Sequence, residues 1–165
     1  MGASTSSFGR WRDSIVCRLA DSIDEQRTLW ALRSVTSASL LYPSSMTPDD
    51  ARAALRANLQ ASQTHHGRWL AVDLLMFIAS GVLFFVPGPN IIAYYLGFRT
   101  FGHLQSWLGA RQGLGPVQWT LQPSDALAEL STLVAVPHAD RAARVDAIAR
   151  ALALEHLPAF FERAA

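Results

Sequence analysis

VPGPNIIAYYLGFR, residues 86–99, places two prolines, a glycine and an asparagine between the two most apolar stretches of the chain. Pro87 disfavours helical geometry at Val86, and Pro89 does the same at Gly88. Gly88 permits a sharp turn, and Asn90 can cap a helix that follows. The four residues therefore read as a helix stop, a tight turn and a helix start. Trp69–Val86 and Asn90–Trp107 flank them, each eighteen residues long. As helices they measure about 27 Å, against ~30 Å of bilayer hydrocarbon. The reading is a central helical hairpin, with arms over about 69–86 and 90–110, broken at Pro87, Gly88, Pro89 and Asn90.

The ends of the arms carry their own signal. Trp69 opens the first and Trp107 closes the second, so an antiparallel hairpin sets them at one level. His65, His66 and Arg68 lie just outside on one arm and Arg111 on the other. Interfacial tryptophans flanked by basic residues suit a membrane boundary, and the positive-inside rule turns this end to the cytoplasm or the mitochondrial matrix. Three placements stay open: a hairpin spanning the bilayer with transmembrane helices, a re-entrant hairpin, and the buried core of a soluble helical protein-interaction module. An apolar outer face left uncovered at Leu74, Phe77, Val82 and Phe85 speaks against the last.

Within the arms, Asp73 lies four residues inside Trp69, and His103 four inside Trp107. Arg99 shares a helical stripe with His103, and Ser106 extends it. An unpaired charge at that depth is costly, so Asp73 is expected to meet Arg99 or His103. Such a group is either a structural ion pair fixing the register or part of an ion or proton pathway. A close carboxylate is expected to raise the pKa of His103 against the opposing effect of burial. Tyr94 and Tyr95 read as packing aromatics, with hydroxyls able to reach Asn90 or the other arm.

The rest of the chain is helical with two exceptions. Residues 1–9 read as a disordered tail and 10–165 as a single domain. Residues 10–32 have helical spacing, with a break near Asp24. Thr47 caps a helix that begins with Pro48, Asp49 and Asp50 and runs to about Gln63. Ser124 caps a short helix to about Leu133, residues 139–154 keep helical register, and Pro158 restarts a last turn. Residues 34–42 and 117–121 suit short strands. The fold class is mainly α: the hairpin, peripheral amphipathic helices, and a two-stranded β ribbon.

Composition narrows the function. Half of the 165 residues are hydrophobic and 16% are charged, against about 25% in soluble domains. The net charge of +1 and the lack of a basic cluster exclude nucleic acid as a partner. All 14 basic residues are Arg, as in a GC-rich bacterial coding sequence. Cys17 is the only cysteine, so there is no internal disulfide and no cysteine zinc cage. His65 and His66 have no carboxylate or cysteine at ligand spacing, no serine sits in a strand–turn–helix context, and Gly113-Leu114-Gly115 is too short for a phosphate loop. The expectation is no metal, no cofactor and no catalysis. The expected partner is a lipid bilayer, with a second copy or other membrane proteins beside it. Residues 1–15 lack the apolar core of a secretory signal.

The run from Trp69 through Gly113 resembles the mitochondrial K+–H+ exchange-related family. The matching pieces are PGPN at 87–90, Tyr94-Tyr95, Arg99, Gly102-His103, Gln105-Ser106 and Gly109-Ala110. LQPSDALAEL at 121–130 and the AFFER ending are similar to the family as well. The resemblance implies a protein of an inner membrane, bacterial or mitochondrial, linked to potassium–proton exchange and cation homeostasis. The short, lysine-free chain suits a bacterial-type member.

Overall fold

The computed structural model describes residues 25–81, 91–154 and 156–164. The tail at 1–9, Cys17, the first part of the 10–32 helix, Val82 and Phe85 of the first arm, and the turn residues Pro87, Gly88, Pro89 and Asn90 lie outside them. The chain divides into two compact units, Met1–Thr36 with Arg56–Val117 and Ser37–Leu55 with Gln118–Ala165. Each is taken in turn.

The first unit is helical. Residues 25–32 form α1, Pro48–Ser80 form α2, whose first turns belong to the second unit, and Ile91–Leu114 form α3. Thr47 opens α2 as expected: its Oγ1 accepts the Asp50 amide at 3.2 Å. The two long helices pack tightly. The facing pairs Gly67 and Trp107, Asp73 and Arg99, and Phe77 and Gly97 step in opposite directions, so the arms are antiparallel. Leu29 and Leu32 of α1 are buried, as are Leu59, Leu96 and Ala110. Glycines set the spacing: a Cβ on Gly113 would stand 3.1 Å from Leu59 and 3.2 Å from Leu32. A Cβ on Gly109 would overlap the Leu29 carbonyl.

Two boundaries of this unit differ from the sequence reading, and in the second unit both strands and the 139–154 helix shift by one to three residues at their ends. The expected helix to Gln63 and the arm starting at Trp69 are one continuous α2. Gly67 alone does not break it. A glycine inside a helix costs ~1 kcal/mol against alanine, and here its bare backbone makes room for the Trp107 indole, 3.2 Å from where a Cβ would be. The second arm runs on past residue 110 to Leu114 because Gly113 still packs on α1 and α2. The expectation of transmembrane helices has no counterpart: no described helix is long and apolar enough to cross a membrane. Helix α2 is polar up to Arg68, and only the stretch from Trp69 to Ser80 is apolar within it.

The second unit holds the two strands, β1 (Ser37–Pro43) and β2 (Gln118–Ser124). They pair in parallel, with Ser37 beside Gln118 and Pro43 beside Ser124. A parallel pair needs a long crossover connection, and α2 and α3 lie between the strands in sequence. Ser124 then caps α4 (Asp125–Leu133) by accepting the Leu127 amide at 3.3 Å. Helices α5 (His138–Ala151) and α6 (Leu157–Ala164) follow. Helix α5 ends in a Schellman motif: the Leu154 amide donates to the Ala149 carbonyl at 2.9 Å and the Ala153 amide to Arg150 at 3.2 Å, with Ala153 at φ 54°. Leu130, Leu133, Val145, Ile148 and Phe161 make the core of α4, α5 and α6.

Arg141 ties that core together. Its guanidinium forks onto Glu162 at 2.7 and 3.1 Å, donates to the carbonyls of Val134 and Val136, and lies over the Phe161 ring. Hydrogen bonds from Arg141, and then from His138, hold Glu162 down to about 2 from an ordinary 4.5. A depressed carboxyl stabilises the fold fully above its unfolded pKa and loses that contribution as pH falls toward its folded one. Acid titration followed by circular dichroism should therefore show a loss of helix between about pH 4.5 and 2, and Glu162→Gln should remove that step. An identical curve for the variant would count against this pairing.

Candidate functional site

Both long helices carry a seam at heptad spacing. On α2 the buried positions Leu59, His66, Asp73 and Ser80 recur every seven residues. On α3, Leu96, Arg99, His103, Ser106, Ala110 and Gly113 alternate steps of three and four. Such spacing keeps one stripe facing a partner helix. What is unusual is its chemistry. Three of the four α2 seam positions are polar, on a helix that is otherwise apolar beyond Trp69.

Asp73 is 1% exposed. Arg99 Nε stands 3.1 Å from its Oδ2 and His103 Nε2 3.5 Å. Neither makes an aligned hydrogen bond to that oxygen, which has no such partner among the described residues. The attraction at Asp73 is therefore chiefly charge. Arg99 keeps about a third of its side chain exposed. Its guanidinium lies over the rings of Trp69 and Tyr95, 5.5 and 5.7 Å from their centroids. Trp69 also stacks on His103 at 6.5 Å. One indole thus covers both partners of the carboxylate.

A second histidine completes the group. His66 is 4% exposed, and its Nδ1 lies 2.9 Å from His103 Nδ1. Its Nε2 is buried with no partner among the described residues. Exposed His65 stands edge-on to His66, ring centroids 5.2 Å apart, and lines an open groove on α2 with Thr64, Arg68 and Trp69. Deeper along α3, Ser106 accepts a hydrogen bond from the Trp30 indole at 3.1 Å.

Electrostatics here run against the expectation for His103. Its pKa is lowered, not raised: burial weighs most, Asp73 opposes it, and Arg99 and His65 push the same way as burial. His66 is lowered too, by burial first and then by His103 and His65, against an upward pull from Glu25. Both rings are thus biased to neutrality beside an ionic pair.

The structure brings together Asp73, Arg99, His103, Trp69 and Tyr95 from among the residues singled out by sequence. Trp107 sits apart, against Gly67 and under the Arg111 guanidinium at 5.6 Å. Tyr94 is exposed and takes no part in the cluster. His66 was missed as a member, read only as a flanking basic residue. The signal that could have found it is its seven-residue spacing from Asp73. No group of three His, Cys, Asp or Glu able to hold a metal occurs among the described residues.

This is a helical-hairpin protein with an acid–base cluster buried in its seam. The chain belongs to the mitochondrial K+-H+ exchange-related family, which it matches over residues 13–113. The match takes in α1, α2 and nearly all of α3, and leaves the 121–130 segment and the AFFER ending outside it. Comparison with curated proteins and with solved structures finds no match.

Proposed function

We propose that the protein is a non-enzymatic, membrane-associated protein linked to potassium–proton exchange. It seats the hairpin against an inner membrane, bacterial or mitochondrial, through the flanks of α2 and α3. The observation that carries this reading is the exposure of large apolar side chains on both arms. Phe98 is 76% exposed, Ile91 70%, Leu75 69% and Ile78 65%, with Val72, Leu74, Met76, Phe77 and Ile92 open beside them. Scattered apolar residues are ordinary on a protein surface, but a contiguous belt marks a partner or a lipid phase. Leu74 and Phe77 are among the open ones, which a hairpin serving as a soluble core would cover. At the base of the belt, Trp69, Tyr95 and Arg99 group as side chains do at a lipid–water boundary. Family membership supplies the link to potassium–proton exchange, and the cluster at Asp73 supplies groups fit to hold a proton.

Flotation with liposomes of mixed neutral and anionic lipid tests it. The full chain is expected to float, and Ile78→Glu with Phe98→Glu should weaken binding about tenfold or more, since charges enter hydrocarbon at a cost of more than 1.4 kcal/mol. A chain that stays at the bottom of the gradient would end the membrane reading. If it did so as a stable oligomer, a second copy would be what covers the belt.

A further inference from the structure

We propose that His66 and His103 form a two-imidazole proton relay onto Asp73, with the buried His66 Nε2 as its receiving end. This rests on the reading of the cluster as a proton site, and it adds the receiving group and the tautomer of each ring.

The geometry fixes the tautomers. A neutral imidazole has one N–H and one bare nitrogen. His103 Nε2 faces the Asp73 carboxylate at 3.5 Å, and a bare nitrogen there would set lone pair against anion. His103 therefore carries its proton on Nε2. Its Nδ1 is then bare, and the 2.9 Å contact between the two Nδ1 atoms requires His66 to donate from Nδ1. That leaves His66 Nε2 bare, and it is the atom found buried without a partner among the described residues.

The last transfer of such a chain needs the 3.5 Å His103–Asp73 contact, which is not an aligned hydrogen bond at rest, to shorten and align. A proton taken from hydronium forms an N–H bond at His66 Nε2. The Nδ1–H bond of His66 breaks as one forms at His103 Nδ1. The Nε2–H bond of His103 then breaks, and its proton forms an O–H bond on Asp73. One proton has entered, Asp73 is neutral, and both rings are neutral again in the opposite tautomers. His103 now donates to His66, and Asp73 donates to His103. Arg99, 3.1 Å away, has lost its counter-charge. The groups facing the pair are Glu25 from α1, His65 from α2 itself, and Asp73 and Arg99 across the seam. The proposed entry is past exposed His65, which stands edge-on to His66 and lines an open groove.

Nitrogen-15 side-chain spectra of the full chain test the assignment. At pH 7.5 His103 is expected as the Nε2–H tautomer and His66 as the Nδ1–H tautomer, both reversing together wherever Asp73 has taken up the relayed proton. His66→Asn keeps a donor near the Nδ1 position and removes the receiving nitrogen, so His103 should stay Nε2–H throughout. Finding His103 as Nδ1–H at pH 7.5 in the unaltered chain overturns the relay without any variant. So does a reversal at His103 that persists in a folded His66→Asn protein. Wrong tautomers in a protein that still floats with liposomes would sink the relay and leave the membrane reading intact. Right tautomers in one that does not float would do the opposite.

Discussion

Replacing Arg99 with alanine is expected to destabilise the hairpin by about 3–5 kcal/mol near pH 7, the usual cost of stranding one member of a buried ion pair. Asp73 is 1% exposed and cannot reach water. The remaining cation candidate is His103, which burial biases to neutrality. The reverse change should be milder. Asp73→Ala leaves an arginine that is already about a third exposed and can turn its guanidinium outward, and Asp73→Asn milder still because a hydrogen-bonding group remains. Adding Asp73→Asn to Arg99→Ala removes the stranded charge and should restore most of the loss. Urea unfolding of the four proteins measures this as a double-mutant cycle. A cost below about 1 kcal/mol for Arg99→Ala would mean the pair contributes only what a surface pair does.

Gly109→Ala is the second large effect. The added methyl would overlap the Leu29 carbonyl, and a backbone group cannot rotate away as a side-chain tip can. Helix α1 must lift from α3, opening the site where Leu29 is buried and where the Trp30 indole donates to Ser106. Overpacking of a well-filled core costs 1–3 kcal/mol, and about 3 kcal/mol is expected here because the obstacle is main chain. Amide hydrogen exchange in 25–32 should speed up while that of α5 and α6 stays unchanged. Full protection of α1 in the variant would show that the contact yields more easily than its geometry implies. Gly102, with open space around its Cβ direction, is the control: alanine there should be neutral or slightly stabilising.

Local chemistry made much of this fold readable. Thr47 before Pro48 and Ser124 before Asp125 announce helices because each cap acts within one turn. The apolar arms announce a hairpin because their length and the prolines between them leave few other arrangements. The join across residues 64–68 was not readable, since what keeps Gly67 helical is an indole forty residues later in the chain. His66 was overlooked for the opposite reason: its place in the seam shows only once α2 is one helix, putting it two turns from Asp73. The electrostatics of His103 turn on how deeply the site is buried, which no pairwise spacing reveals. The reading could name Asp73 as the opposing charge but could not weigh it against desolvation.

The parallel pairing of β1 with β2 carries a consequence for the order of folding. A lone two-stranded pair has little stability in water, and closing a chain segment as long as residues 44–117 costs entropy that grows with its length. The strands therefore gain little by meeting first. Helices α2 and α3 fold back on each other over shorter separations, and once joined they shorten the effective distance between the strand ends. On the ribosome, β1 emerges with its edge unsatisfied and waits while the whole hairpin is made. The hairpin is thus the step that ends this exposure. Whatever slows it prolongs the interval in which the nascent chain presents a bare strand to its neighbours or to a chaperone.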